Sequence, residues 1–406
     1  MRVLVVHNSY QIPGGEDAVV GGETELLQQN GVDCRLYSVT NDSISSIAAK
    51  LSAGVNLIYN FRARSSVLQA IRDFRPDVVH VHNFFPLLSP SIFDACRDAS
   101  VPSILTLHNF RLLCPSALLY EDDDLRERSL HRPCWWTVPR RAYRNSMAAT
   151  LALSTMVEFH KRSGTWQSKV DRFLALSEWA RAKFIEGGLP ADRILVKPNA
   201  VARPAGVALK RRAGALFVGR LDNQKGIKTL LTAWNEVDYP LRVIGDGPLA
   251  PLVQKAAGGK IEYLGRQPRD VVQREMLAAR FLVLPSSGHE MFPLTVVEAF
   301  AAGLPVLCSD LASLSSLVVD GVSGFTFASN NPSALAARAR WALRSQNALD
   351  EVSRNASQIY SDRYSPEANF DALLKIYSAS KTASQFGEGS FAPDEAPSSP
   401  VATPQH

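Results

Sequence analysis

The chain has 406 residues, 46% of them hydrophobic and 20% charged, with a formal net charge of +5, and it is long enough to bury two cores of ordinary domain size. A surplus this small and diffuse does not call for a nucleic-acid partner. The absence of any run of 18 apolar residues argues against a membrane-spanning helix. The opening MRVLVVHNSY lacks the apolar length of a secretory signal, and the five cysteines form no CxxC pair and cannot all pair with one another. A reducing cytoplasm, with the protein soluble or attached to the inner membrane face, is the expected setting.

Short runs rich in Val, Ile and Leu recur between longer helical stretches, as parallel strands buried on both faces do. In the first half they are RVLVVH (2–7), CRLYSV (34–39), DVVHVH (77–82), SILTLH (103–108), RFLALS (172–177) and ILVKPN (194–199). Several end in a polar residue, and open α/β sheets bind ligands beyond the carboxyl ends of their strands, so His7, His82, His108, Ser177 and Asn199 are placed at a ligand edge. EDDDLRE (121–127) reads as a solvated polar insertion rather than a metal site. Between 126 and 172 ten Lys or Arg stand against three acids, with Trp135, Trp136, Phe159 and Trp166 among them. That mixture suits either an anionic bilayer surface or a solvated face over a packed aromatic core.

A Pro, Gly and basic stretch (202–214) reads as a linker. The alternation then restarts with ALFVGR and continues through LRVIGDG, IEYLGR, FLVLPS, PVLCSD and GFTF. The predicted organisation is α/β, with a first domain over 1–203 and a second over 204–362. A terminal helix (363–380) with a Ser-Pro start packs back on the first domain, and a Ser, Pro and Gly-rich tail (381–406) is expected to be disordered.

Two constellations carry the chemistry. In HEMFPLTVVEAFAAGLP, Pro293 suits the first turn of a helix that Gly303 ends. The free amides of Phe292, Leu294 and Thr295 at such a start, with the helix dipole, bind a phosphate. Glu290 before the helix and Glu298 within it can accept hydrogen bonds from sugar hydroxyls, although the same pair could simply favour the helix dipole. In FVGRLDNQKG, Gly219 breaks the strand and Arg220 and Lys225 stand in the loop that follows. Two cations there can neutralise a diphosphate, and a solvated basic loop is the alternative. No G-x-G-x-x-G follows the first strand, which counts against a nicotinamide enzyme.

GRLDNQKG, GDGP, EYLGR and HEMFPLTVVEAFAAGLPVLCSD, in this order and spacing, resemble the retaining GT-B glycosyltransferases of the bacterial polysaccharide and mannosyl transferase type, the E-x7-E, family 4-like group. The resemblance spans most of residues 1–380. It implies two Rossmann-like domains facing each other across a cleft, and hexosyl transfer from a nucleoside diphosphate sugar to an acceptor hydroxyl with retention, in polysaccharide or glycolipid biosynthesis. A sugar-nucleotide epimerase and a non-catalytic nucleotide-sugar-binding subunit are the alternatives.

By the same resemblance, Arg220 and Lys225 hold the donor diphosphate and Gly14 and Gly15 line the cleft near it. The turn of Phe292, Pro293, Leu294 and Thr295 cradles the distal phosphate. Glu298 binds the ribose, Leu264 and Arg266 lie beside the base, and Gly219 and Asn199 complete the donor site. His108 and Glu290 contact the transferred sugar and, with Arg220 and Lys225, form the catalytic set. Glu16 and His82 lie on the acceptor side. No metal or other cofactor is expected, the cations and helix start supplying the electrostatics. Cys114 and Cys134 are taken as free thiols. The expected partners are the nucleotide sugar, a glycan or lipid-linked glycan and, through 126–172, an anionic membrane surface, with no nucleic acid.

Overall fold

The computed structural model describes residues 1–10, 14–40, 56–121, 124–125, 127–206 and 212–386. The apolar runs form two six-stranded parallel sheets. The first comprises β1 (Arg2–Ser9), β2 (Asp33–Thr40), β3 (Val78–Asn83), β4 (Ser103–Leu107), β7 (Arg172–Ala175) and β8 (Ile194–Val196), in the order β2-β1-β3-β4-β7-β8. The second comprises β9 (Ala215–Val218), β10 (Leu241–Ile244), β11 (Ile261–Gly265), β12 (Phe281–Leu284), β13 (Val306–Ser309) and β14 (Gly324–Phe327), in the order β11-β10-β9-β12-β13-β14. Each sheet is covered on both faces, so its inner strands read as continuous apolar runs.

Sequence order reverses between β1 and β3 in the first sheet and between β9 and β12 in the second. A crevice opens beyond the strand ends at such a switch point. The loops bearing Arg220 and Lys225, after β9, and Glu290, after β12, meet at the second of these. The glycines of this region are required by packing. At Gly245 (φ 144°) an added Cβ would lie 1.8 Å from the Gly219 carbonyl, where the loops after β9 and β10 cross. That crossing is closed by hydrogen bonds from the Leu221 amide to the Asp246 carbonyl and from the Leu249 amide to the Leu221 carbonyl.

Three expectations need adjustment. The terminal helix runs Pro366–Phe386 rather than 363–380, so the first six residues of the expected tail are helical. Its added turn is anchored where Lys381 pairs with Asp77 (2.9 Å), while 387–406 lie outside the described residues. This helix buries Leu373 and Tyr377 in one core with Val3, Val5 and Val78 of the first sheet. At EDDDLRE, expected as a solvated polar insertion, Tyr120–Glu121 (β5) and Asp124–Leu125 (β6) pair as a small antiparallel hairpin; 122, 123 and 126 are outside the described residues, as are 207–211 of the linker. Ser177, placed with the strand-end ligands, caps the helix Glu178–Glu186 by accepting from the Ala180 amide.

Candidate active site

On the second-domain side, α-helix Leu294–Ala301 starts after Pro293, has no side-chain cap, and ends before Gly303 in the left-handed conformation. Its first amides therefore lack intrahelical acceptors. Lys225 Nζ lies 2.5 Å from Glu290 Oε2, and the Ser286 hydroxyl donates to Glu290 Oε1 (2.6 Å). These two contacts fix the carboxylate of Glu290, 9% exposed, and the Ser313 hydroxyl fixes its backbone by accepting from the Glu290 amide (3.2 Å). Arg220 pairs with Asp222 and keeps 63% of its side chain exposed. Asp222 also accepts from the Lys225 amide (2.9 Å), which ties the two cations into one loop.

Glu298 lies in the fifth position of the helix, half-buried, and burial raises its carboxyl pKa against the pull of Arg269. Beside the expected base site, the Leu264 carbonyl accepts from Gln267 Nε2 (2.5 Å) and the Gly265 carbonyl from the Gly245 amide (2.9 Å), each with a second lone pair remaining; Arg266 is exposed.

On the first-domain side, Gly14 precedes the helix Gly15–Gln29, and its amide donates to Asp17 Oδ2 (2.8 Å). His7 Nε2 stands 3.0 Å from Asp17 Oδ1, joining the end of β1 to the helix start. Gly15 faces the second domain closely: a Cβ there would sit 3.2 Å from Leu294. The Tyr10 hydroxyl donates to Glu16 (3.0 Å). Burial pushes the Glu16 carboxyl up to about 7, opposed by the Tyr10 hydrogen bond and the Arg111 guanidinium.

The two sides enclose an open cleft with about 700 Å³ of empty volume. Gly15, Glu16, His108, Asn199, Lys225 and Glu290 line it, with Phe292 and Leu294 at the helix start. His82 does not reach it. That ring is buried beneath His108, its Nδ1 2.9 Å from His108 Nε2. It therefore lies behind His108 rather than on the cleft surface, which corrects its expected place on the acceptor side: the pairing of Val81 with Leu105 sets His82 opposite Thr106, two residues short of His108.

Several residues in the site had no local signal. Trp179 packs against His289 with the rings tilted and their centres 4.6 Å apart. Gln224 Nε2 donates to the His289 carbonyl (3.0 Å). Glu23, His80 and His82 bring ligand-type atoms within 4.8 Å of one another. Both His80 ring nitrogens are engaged, by Tyr377 (2.8 Å) and Thr106 (2.7 Å), and Lys197 takes one Glu23 oxygen, while the other Glu23 oxygen faces His82 Nε2 at 3.6 Å. All five cysteines are free and buried.

Residues 14–200 match the family described as Glycosyl transferase 4-like domain, and residues 203–359 match Glycosyl transferases group 1. The chain is a GT-B glycosyltransferase of the GT4-like type. It is 26% identical over 364 residues to the phosphatidyl-myo-inositol mannosyltransferase of Mycobacterium leprae, covering 83% of this chain and 86% of the relative. It is 31% identical over 166 residues to an uncharacterized glycosyltransferase of Methanocaldococcus jannaschii, where the match spans 40% of this chain and about half, 47%, of the relative. Among solved structures, sucrose-phosphate synthase from Thermosynechococcus elongatus superposes with a TM-score of 0.70 at 16% identity, covering 94% of this chain and 99% of that one. Anabaena HepE in complex with UDP gives 0.65 at 16% identity, covering 93% and 100%. For this glycosyltransferase the structural likenesses establish the fold, and the two family matches meet between residues 200 and 203, where the first sheet hands over to the second.

Proposed function

We propose that this glycosyltransferase moves a hexosyl group from a nucleoside diphosphate sugar to an acceptor hydroxyl with retention, by front-face attack assisted by the departing phosphate and without a metal ion. The observation that carries the reading is the set of Lys225, the open helix start at Leu294 and the Gly15 turn, which converge on one cleft with His108 opposite. Lys225 is paired with Glu290. A diphosphate takes over the lysine, and Glu290, still fixed by Ser286, turns its freed oxygen to sugar hydroxyls. Lys225 and the helix amides then stabilise charge that grows on the leaving group, which acts on the transition state rather than on ground-state binding, while the more exposed Arg220 contributes to donor binding. Glu298 takes the ribose, and Glu16 holds the acceptor hydroxyl.

Uridine and guanosine diphosphate sugars are the expected donors. In support, the Anabaena neighbour was solved with UDP and the mycobacterial relative is named a mannosyltransferase. Incubation with a panel of such donors plus sugar and polyprenyl-linked acceptors should give product with the donor's anomeric configuration, unaffected by EDTA. Epimerised donor, or tight binding without turnover, would replace the reading by one of its alternatives. Run across pH, the same assay should show the acceptor KM rising as pH falls below about 7, where Glu16 takes up a proton and loses its charge.

The acceptor we favour is lipid-linked. No helix among the described residues is long and apolar enough to cross a membrane. Helix Met147–Arg162 instead exposes Met147, Leu151 and Phe159, 49% each, near Trp135 and the cations Arg140, Arg141 and Arg144, whereas Trp166 belongs to the core. An apolar stripe flanked by cations suits an anionic interface, at about 1 kcal/mol per cation near the surface. The protein should co-sediment with phosphatidylglycerol vesicles and lose that binding in Leu151→Glu/Phe159→Glu. Equal partition onto neutral vesicles would refute the membrane role.

A further inference from the structure

Beneath the cleft lies a buried polar chain that nothing above assigns. Helix Gly15–Gln29 carries Glu23 inward, where it meets the ammonium of Lys197, just past the end of β8; the lysine side chain has no exposure. The other carboxylate oxygen, Glu23 Oε2, is 3.6 Å from His82 Nε2, and neither atom has another hydrogen-bond partner. On the far side of the same ring, His82 Nδ1 is 2.9 Å from His108 Nε2, the rings stacked with centres 5.2 Å apart. His108 lines the cleft.

The protons in this chain can be placed from the charges. Burial would raise the Glu23 carboxyl, but Lys197 holds it below the usual carboxylate range, so it is ionised. Burial, joined by His108 as a neighbour, keeps His82 neutral, and burial pushes His108 down to about 3, so both imidazoles carry one proton each. A lone pair at His82 Nε2 would face an anion, whereas an N–H there is attracted to it. His82 is then protonated at Nε2, and its Nδ1 can only accept. The atom opposite, His108 Nε2, must donate. One proton per ring leaves His108 Nδ1 with a lone pair. His80, stacked on His82 with ring centres 4.1 Å apart, is spent on Tyr377 and Thr106 and does not compete.

We propose that Glu23, held by Lys197, sets the tautomer of His108 through His82, so that His108 meets the substrate as a hydrogen-bond acceptor for a hydroxyl rather than as a donor to a carboxylate. Glu23, Lys197 and His82 are positioning residues in this scheme. The inference rests on the transferase reading only for the identity of the hydroxyl, and it favours a neutral hexosyl donor over a hexuronosyl one. The tautomer itself is independent of any substrate.

The test is imidazole nitrogen NMR on the full-length 15N-histidine protein. The wild type should show His108 protonated at Nε2 and bare at Nδ1 between pH 6 and 8. Glu23→Gln should release the chain and shift His108 toward the other tautomer or a mixture. Turnover should fall about tenfold, the worth of one neutral hydrogen bond, with little change in donor KM. Because Glu23→Gln leaves Lys197 buried without its partner, Glu23→Gln/Lys197→Met serves as the second variant, and Glu23→Asp should restore the wild-type signature in part. A wild-type His108 protonated at Nδ1, or a signature unmoved in both variants, overturns the assignment even if sugar transfer is confirmed. A normal signature with no transferase activity would instead leave the tautomer relay standing and sink only the reading of the reaction.

Discussion

Lys225→Met should lower kcat by about 10²–10³ while the fold is retained, the range seen when one preorganised donor to developing negative charge is removed. The lysine is the cation that lines the cleft, whereas Arg220 is largely exposed and tied to Asp222. Its loss therefore removes charge where the diphosphate would leave and also strands Glu290, a 9% exposed carboxylate with only Ser286 and its own backbone contact to Ser313 remaining. An unpaired buried acid takes up a proton or weakens the fold. Lys225→Met/Glu290→Gln separates these effects. It should recover thermal stability lost in the single variant without recovering kcat. Steady-state kinetics with a saturating donor decide the matter, and a kcat within threefold of wild type would show that the lysine does not face the leaving group. Arg220→Ala should be milder and shift donor KM more than kcat.

Gly226→Ala should destabilise the second domain by about 3–5 kcal/mol, among the larger effects of a single substitution. Gly226 precedes helix Ile227–Trp234 at φ 69°, and a methyl group there would lie 1.7 Å from the Pro285 carbonyl. Both strain and collision act at the meeting of the loops after β9 and β12, so neither can relax without moving the other. Thermal unfolding followed by circular dichroism should show the midpoint lowered by about 10 °C. The matched control is Gly21→Ala, in the middle of an exposed helical turn with nothing within 4 Å of the added carbon. It should leave stability unchanged or raise it by about 0.5–1 kcal/mol. Equal behaviour of the two variants would contradict the packing described at Gly226.

The inner strands of both sheets were legible because they are short, apolar and buried on both faces, while the edge strands β2 and β11 are only partly buried. Helix Leu294–Ala301 was legible for a local reason too: Pro293 and Gly303 bracket an apolar segment, and both act within one turn of their own position. The partners of the cations were not. Asp222 stands two residues from Arg220 and looks like any loop acid, and Lys225 and Glu290 lie 65 positions apart. The end of the terminal helix was misplaced because its last turn is held by Asp77, some 300 residues away, and not by anything in its own composition.

By itself the sequence determined the two α/β layers and the loops that follow their strands, since apolar periodicity, glycine and proline act through nearest neighbours, while the order and spacing of four motifs carried the resemblance to the family. Only the tertiary structure decided which charges neutralise one another and which histidine meets the cleft. His82 and His108 both end apolar runs with the same pattern, and the stacking of β3 beside β4 over Glu23 and Lys197 is what buries the first and presents the second. Burial and pairing are properties of the space between distant segments, and that space exists only once both sheets and the returning helix have closed around it.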